Sequence, residues 1–409
     1  MKRTVGLGIL AILLAAGVGS IILTGDREVQ AAPPPAAQGL SHAHNAFGFK
    51  MLKLLEQSEG KKNVFISPSS IAIALSMVYN GARGPTKAAM EKALELQGID
   101  LAQVNQQSLD LINLLKNPDP KVELSVANSV WARKGVSFRP DFLKTVLDFY
   151  QAQATTLDFR TPGAAATINA WVNEKTRGKI PTIVEPPISS DMVMYLINAV
   201  YFKGSWSTEF DKKLTEERAF TPAAGAPEKR PLMKQHGWLP YLETEDFQSV
   251  SLPYGKNRRL AMYVFLPKKD LKSFLAKLDS DSWDSWMQRY SNTEGTILLP
   301  RFKMEYEKEL SAQLSQLGMG AAFQNNADLS GIGPGLSISE VKHKTYVNVN
   351  EEGTEAAAVT SVGVHATAVR VEPPTFYMEV NRPFFFVIRD NQSGESLFMG
   401  VVQNPPAAG

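Results

Sequence analysis

The sequence predicts a single mixed α+β domain in which large β-sheets are wrapped by helices. Two observations predict it. Apolar residues recur at helical spacing through most of the first half, whereas the second half breaks into short β-branched and aromatic runs bounded by turn residues. From Ser41 to Gly409 no solenoid period and no linker divides the chain, so one large core is expected rather than two.

Lys2 and Arg3 precede an apolar run from Val5 to Leu23 that Thr24, Gly25 and Asp26 end, the pattern of an export signal. Val29-Gln-Ala31 offers a small-x-small cleavage site. Residues 1–31 are expected to be a signal peptide of a secreted, extracellular or periplasmic protein. The alternative is an uncleaved anchor at residues 5–23, long enough to span a bilayer and to hold the protein on the outer face of the cytoplasmic membrane. The Ala- and Pro-rich residues 32–40 read as a linker.

Phe47, Met51, Leu54 and Leu55 place a helix over Ala43–Leu55, and similar periodicity predicts helices over Ile71–Asn80, Pro85–Leu94, Ala102–Leu115, Pro140–Tyr150 and Ala164–Thr176. Strands are predicted at Tyr195–Lys203, Leu260–Leu266, Thr296–Pro300, Thr345–Val349, Phe384–Arg389 and Ser396–Val402. Helices at Leu271–Leu278, Ser282–Tyr290 and Lys308–Leu317 interrupt them.

Charge and composition exclude several functions. With 43 basic and 41 acidic residues interspersed, there is no broad cationic surface for nucleic acid. The absence of cysteine removes disulfides, thiol nucleophiles and zinc-thiolate sites. The five histidines (His42, His44, His236, His343 and His365) show no helical metal spacing, so neither a metal nor another cofactor is expected; His42 and His44 read as part of a solvated terminus. No GxSxG elbow, phosphate loop or dinucleotide fingerprint occurs. Ser339 and Lys342 have SxxK spacing without the KTG and SDN partners that such hydrolases require, so no enzyme activity is expected.

The informative segment runs from Glu351 to Phe376. Its even positions, Thr354, Ala356, Ala358, Thr360, Val362, Val364 and Ala366, are all small or apolar, while Glu355, Ser361, His365 and Thr367 fall on the odd ones, so one face is suited to burial in a sheet. The same segment reads as a loop, because Ala356, Ala357 and Ala358 are poor strand formers and Gly353, Gly363 and Pro373-Pro374 punctuate it.

On these residues the chain resembles the serpin family. Glu351-Glu-Gly-Thr-Glu-Ala-Ala-Ala358 is similar to the hinge that opens the family's reactive loop, Met378-Glu-Val-Asn-Arg-Pro-Phe-Phe-Phe-Val-Ile388 to its signature, and Leu397-Phe-Met-Gly-Val-Val402 to its closing strand. Asn63-Val-Phe-Ile-Ser-Pro-Ser-Ser-Ile71, Gly81-Ala-Arg-Gly84, Ile168-Asn-Ala-Trp-Val172, Asn198-Ala-Val-Tyr-Phe-Lys-Gly204 with Trp206, Leu299-Pro-Arg-Phe302 and Ala327-Asp-Leu-Ser-Gly331 occur in the family's order, from about Asn63 to Pro405. The resemblance implies a large central sheet with further sheets, about nine helices and an exposed reactive loop at 351–376.

It also implies a function: inhibition of a serine protease that cleaves the loop, is held as an acyl-enzyme and is carried off as the loop's N-terminal part inserts into the central sheet. About fourteen inserted residues at ~3.3 Å make a strand of about 46 Å. By position, the hinge is Glu351, Gly353, Thr354, Glu355, Ala356, Ala357 and Ala358. The shutter beneath the sheet is Ser67, Ser70, Asn198 and His343, and the breach where insertion begins is Trp206, Arg301 and Glu351. Lys342 departs from the family, which generally has an apolar residue there. Counting from Gly353 puts the reactive bond at Thr367-Ala368, suited to elastase-like or subtilisin-like proteases; counting back from Asn381 puts it at Arg370-Val371, suited to trypsin-like ones. A non-inhibitory carrier or chaperone is the other reading, against which the small uncharged hinge argues. Lys116 is the only cation in Leu101–Asn117, so no heparin partner is expected, and the protein is expected to be a monomer.

Overall fold

The computed structural model describes residues 35–354 and 375–406. Helix α1 (Pro35–Glu59) leads through strand β1 (Val64–Ile66) to α2 (Pro68–Gly81), α3 (Gly84–Ala93) and α4 (Leu101–Leu115). Strand β2 (Val122–Arg133), α5 (Pro140–Tyr150), β3 (Gln153–Leu157), α6 (Ala164–Lys175) and β4 (Met194–Ser205) complete the first half. Then come β5 (Glu216–Phe220), β6 (Glu228–Glu243), β7 (Phe247–Pro253), β8 (Leu260–Pro267), α7 (Leu271–Lys277), α8 (Ser280–Met287), β9 (Ser291–Pro300), β10 (Phe302–Glu309) and α9 (Ser311–Leu314). Strand β11 (Glu340–Asn350) and the two-residue β12 (Gly353–Thr354) precede residues 355–374, and β13 (Phe376–Glu379), β14 (Phe384–Asp390) and β15 (Ser396–Val402) end the chain. Among the described residues this makes an α+β fold of nine α-helices and two large sheets.

Local chemistry sets several boundaries. Pro68 and Pro140 sit in the first turns of α2 and α5, where their missing N–H costs nothing. Asp100 accepts from the backbone N–H of Gln103 while the Gln103 side chain accepts from that of Asp100, a reciprocal cap that starts α4. Helix α1 is longer than the 43–55 predicted, because the alanines before Gly39 favour helix and a proline is tolerated at its start. His44 is not in a solvated terminus: it is buried, and its Nδ1 lies 2.8 Å from Glu395 Oε1, because α1 packs on the C-terminal hairpin. The helix predicted at Lys308–Leu317 is a strand for its first two residues, since Phe302, Met304 and Tyr306 alternate with outward Lys303 and Glu305 and carry β10 to Glu309.

The nine-stranded sheet has the order β1-β15-β14-β8-β7-β6-β9-β13, with β5 on β6; the six-stranded sheet has the order β10-β11-β12-β4-β2-β3. In the latter both faces are covered. Met194, Leu196, Val200 and Phe202 of β4 join the main core, while Tyr195, Ile197 and Ala199 pack with Ile168 and Val172 of α6. At its centre β11 and β4 pair directly and in parallel over seven residues, from Glu340↔Tyr195 to Tyr346↔Tyr201. Above Tyr346 and Tyr201 the two strands part, and β12 enters between them, antiparallel to both.

Candidate functional site

The site is built around that fork. Asn350 Oδ1 accepts the backbone N–H groups of Glu352 (3.0 Å) and Gly353 (3.2 Å), turning the chain back at the end of β11. Trp206, just past β4, donates its indole N–H to Asn350 O at 2.9 Å and stacks on Tyr254, ring centroids 4.4 Å apart. Glu351 is buried and accepts from the Arg301 guanidinium, with Nε at 2.7 Å, and from Thr215 Oγ1. Lys212 pairs with Glu352. Trp206, Arg301 and Glu351, the residues predicted as the breach, therefore meet at one end of the sheet, where they hold the turn between β11 and β12.

Gly353 and Thr354 are already seated in the fork. A Cβ on Gly353 would lie 2.1 Å from Gly204 O, so only glycine lets the strand come this close. Thr354 is fully buried, and its hydroxyl lies 2.7 Å from the Tyr254 hydroxyl. Burial pushes the Tyr254 phenol up, so it remains protonated and available to that bond. At the far end of the segment, Phe376 stacks on Tyr241 at 4.1 Å. Residues 355–374 thus join one sheet to the other. The predicted hinge residues Glu355, Ala356, Ala357 and Ala358 and both reactive-bond pairs, Thr367-Ala368 and Arg370-Val371, lie outside the described residues.

Lower in the same seam, one row across the six-stranded sheet is polar. His343 of β11 pairs with Asn198 of β4, which pairs with Asn128 of β2. His343 Nδ1 donates to Asn198 Oδ1 at 2.6 Å, and its Nε2 accepts the backbone N–H of Ser67 at 3.2 Å. Asn198 Nδ2 donates to Ser70 Oγ and to Asn128 Oδ1, and Ser67 Oγ donates to Leu397 O at 2.6 Å. The four shutter residues predicted by position are thus one network that ties α2 to both strands of the seam.

The network has no room for a second proton on His343, whose Nε2 already faces an N–H. Burial holds its pKa down to about 3. The unfolded chain, titrating near 6.5, then binds more protons than the native one below that pH, so this stability is present above pH 6.5 and lost by about 1.4 kcal/mol per pH unit on acidification toward 3. Melting temperature measured from pH 8 to pH 5 should fall steeply below about 6 in the wild type; His343→Gln should start lower at pH 8 and fall less.

Sequence reasoning missed Asn128, Tyr254, Thr215, Lys212 and Glu352 as parts of the site. Asn128 carried a signal, an amide between Ala127 and the Ser129-Val-Trp-Ala132 run that must find partners if buried. Ser339 and Lys342 form no catalytic pair: Ser339 Oγ accepts the backbone N–H of Val193 at 3.0 Å, and Lys342 pairs with Glu340 at 3.1 Å. No cluster of three metal-ligating side chains occurs among the described residues.

Comparison with known proteins meets this geometry. The family model "Serpin (serine protease inhibitor)" matches residues 42–405. A serpin-like protein of Thermococcus kodakarensis is 36% identical over 369 residues, covering 89% of this chain and 85% of the relative. The leukocyte elastase inhibitor of Bos taurus is 35% identical over 381 residues, covering 90% and 99%. The crystal structure of the thermophilic serpin tengpin in its native state superposes with a TM-score of 0.82 at 34% identity, covering 89% and 94%. The match over nearly the whole described chain, and relatives named as inhibitors rather than enzymes, lead to one conclusion: the chain belongs to the serpin family.

Proposed function

We propose that this serpin is a suicide-substrate inhibitor of serine proteases. One observation carries the reading: β12 stands antiparallel between β11 and β4 at the point where their parallel pairing stops. Thr354 faces Val349 and Gly204. Continued in that register, Thr360, six residues on, faces His343 and Asn198, six residues back on each strand. Val364 reaches the start of β4 at Met194. An inserted strand from Gly353 to Val364 then covers about 40 Å and exchanges one parallel seam for two antiparallel ladders, which pair more strongly per residue. Every even residue that enters the core side is small or apolar, and Thr360 brings a hydroxyl to the two side chains whose mutual bond insertion must break.

The chemistry begins on the protease. Its serine Oγ attacks the carbonyl of Thr367, the bond to Ala368 breaks, and the proton passes to the new amino group of Ala368 while Thr367 stays held as an ester. Insertion then carries the ester away before water hydrolyses it. Thr367 is small and falls on the outward parity, which favours an elastase-like or subtilisin-like target, in keeping with the elastase inhibitors among the relatives. Export through residues 1–31, or anchoring at 5–23, belongs to the same proposal, as does a monomeric state.

Mixing the protein with small-pocket and trypsin-like serine proteases tests this. An SDS-resistant complex should form with a small-pocket enzyme, and the released peptide should begin at Ala368. Thr367→Arg should move inhibition to trypsin-like enzymes, and Arg370→Ala should change little. A peptide beginning at Val371 would move the reactive bond to Arg370. Absence of a stable complex with every protease would leave the carrier or chaperone reading.

A further inference from the structure

Tyr254, whose hydroxyl lies 2.7 Å from that of Thr354, does not belong to the sheet that Thr354 enters. It opens the turn between β7 and β8 of the nine-stranded sheet, whereas the fork lies in the six-stranded one. That turn is tied to the smaller sheet by Asp119, in the connection from α4 to β2. Asp119 is buried, and its carboxylate accepts three backbone N–H groups: that of Lys121 at 2.8 Å on Oδ1, and those of Lys256 at 2.8 Å and Asn257 at 2.9 Å on Oδ2. Three donors on one carboxylate offset the cost of burying its charge. The turn is shaped around it. Gly255 takes φ +71°, in the left-handed region, and a Cβ there would lie 2.3 Å from Asp119 Cγ. The side-chain amide of Asn257 adds a strut, donating to Pro118 O at 2.8 Å.

The same group of bonds reaches the end of β4. Lys121 O accepts the backbone N–H of Ser205 at 3.1 Å, Ser205 O accepts that of Gly255 at 2.8 Å, and Ser207 Oγ donates to Gly255 O at 2.6 Å. The start of β2, the end of β4 and the β7–β8 turn are therefore fastened to one another. Tyr254, with its ring held between Trp206 at 4.4 Å and Phe202 at 5.1 Å, is set on the β4 side of the fork. Asp119 thus touches neither Thr354 nor the strands that part, yet it fixes the backbone that carries the phenol.

We propose that Asp119 is a positioning residue for hinge entry: acting through the β7–β8 turn, it sets the Tyr254 hydroxyl at the point where Thr354 docks. The role in trapping rests on the loop-insertion reading, in which Thr354 leads the new strand into the sheet. Without the carboxylate, the N–H groups of the exposed residues Lys256 and Asn257 turn to water and the turn loosens. The ring of Tyr254 stays buried against its aromatic neighbours, while its hydroxyl loses its bearing on Thr354. Thr354 then leaves the fork more often, and after cleavage the strand starts from an unseated hinge. Hydrolysis of the acyl-enzyme gains on insertion.

Hydrogen exchange of the full chain, read by mass spectrometry over residues 351–354, reports the seat directly and needs no protease. Asp119→Asn keeps the shape of the side chain but turns a donor toward at least one of the three N–H groups. Exchange should quicken about tenfold in Asp119→Asn and in Tyr254→Phe, with little further gain in the double variant, because both changes remove the same hydroxyl bond. A purely structural role would lower the melting temperature without depending on that hydroxyl. Unchanged exchange in Asp119→Asn, or an equal acceleration with and without the Tyr254 hydroxyl, overturns the proposal. Should Asp119→Asn not fold, Asn257→Ala, an exposed change that removes the strut to Pro118, should give the same pattern at about threefold. With a small-pocket protease, the serpin consumed per protease trapped should rise alike in Asp119→Asn and Tyr254→Phe. If the wild type forms no stable complex, the insertion reading fails, and the exchange cycle still decides whether Asp119 holds the seat.

Discussion

If the proposed trap operates, Thr354→Arg should turn this serpin from an inhibitor into a substrate, with the SDS-resistant complex lost and cleaved serpin accumulating in its place. Thr354 is fully buried between two strands with its hydroxyl on Tyr254, and no carboxylate hydrogen-bonds there to receive a cation. Burying an unpaired guanidinium costs several kcal/mol, so an arginine here would leave the fork for water in the native state, and the strand could not advance without burying it again. Insertion competes with hydrolysis of the acyl-enzyme, so each ~1.4 kcal/mol added to the insertion barrier raises the ratio of hydrolysis to trapping about tenfold, and a barrier raised by several kcal/mol makes hydrolysis the main outcome. Thr354→Ser, which keeps the hydroxyl, should inhibit as the wild type does. A stable complex from Thr354→Arg at the wild-type stoichiometry would show that trapping here does not run through this fork.

Cleavage within residues 355–374 should make the protein more stable, with the melting temperature rising by more than about 10 °C. A nick in a surface loop ordinarily leaves stability unchanged or lower. Here the seam between β11 and β4 is a parallel pairing, and its upper end is already prised apart by two residues whose continuation is held at the far end by Phe376. Cutting the segment releases it to complete the strand, and in a chain of this size each kcal/mol moves the melting temperature by about 2 °C. A cleaved form that melts with the intact protein would mean that the native state stores no such energy. Scanning calorimetry of intact and nicked protein decides between them.

Most of the helices were legible in the sequence because their apolar residues recur at helical spacing, in α5 as a single stripe and in α2 as a run buried on nearly every side. Helix α5 was located to the residue by Pro140 and the tyrosine at its end. The long strands β2 and β6 were not legible. β2 mixes serine, alanine and an asparagine into its apolar run, with both faces buried only from Ala127 to Ala132, and β6 carries Pro231, Gly237 and Pro240, which read as breakers until a sheet surrounds them. The site divides in the same way. Arg301, Trp206, Ser67, Ser70, Asn198 and His343 could be assigned by position in a family pattern, yet nothing along the chain says that Asn128 shares a row with His343 or that Tyr254 waits for Thr354. Those contacts depend on strand register, a long-range property that no local window carries.

The order β1-β15-β14 in the larger sheet sets when this protein folds. Val64 pairs with Val401, 337 positions later (401 − 64), and β14 stands between β15 and β8, so the sheet has a gap in its interior until the last strands exist. At ~5–20 residues per second, β1 is made about 20 to 70 s before β15, the strand it pairs with. During that interval Val64, Phe65 and Ile66 have no strand partner, and the part of the core made by Phe384, Phe386, Phe398, Met399 and Val401 is missing. The larger sheet cannot close until the last strands are made. A nascent chain stalled before Phe384 therefore offers a broad apolar surface to the chaperones that attend synthesis, and assembly proceeds from C-terminal strands that arrive last.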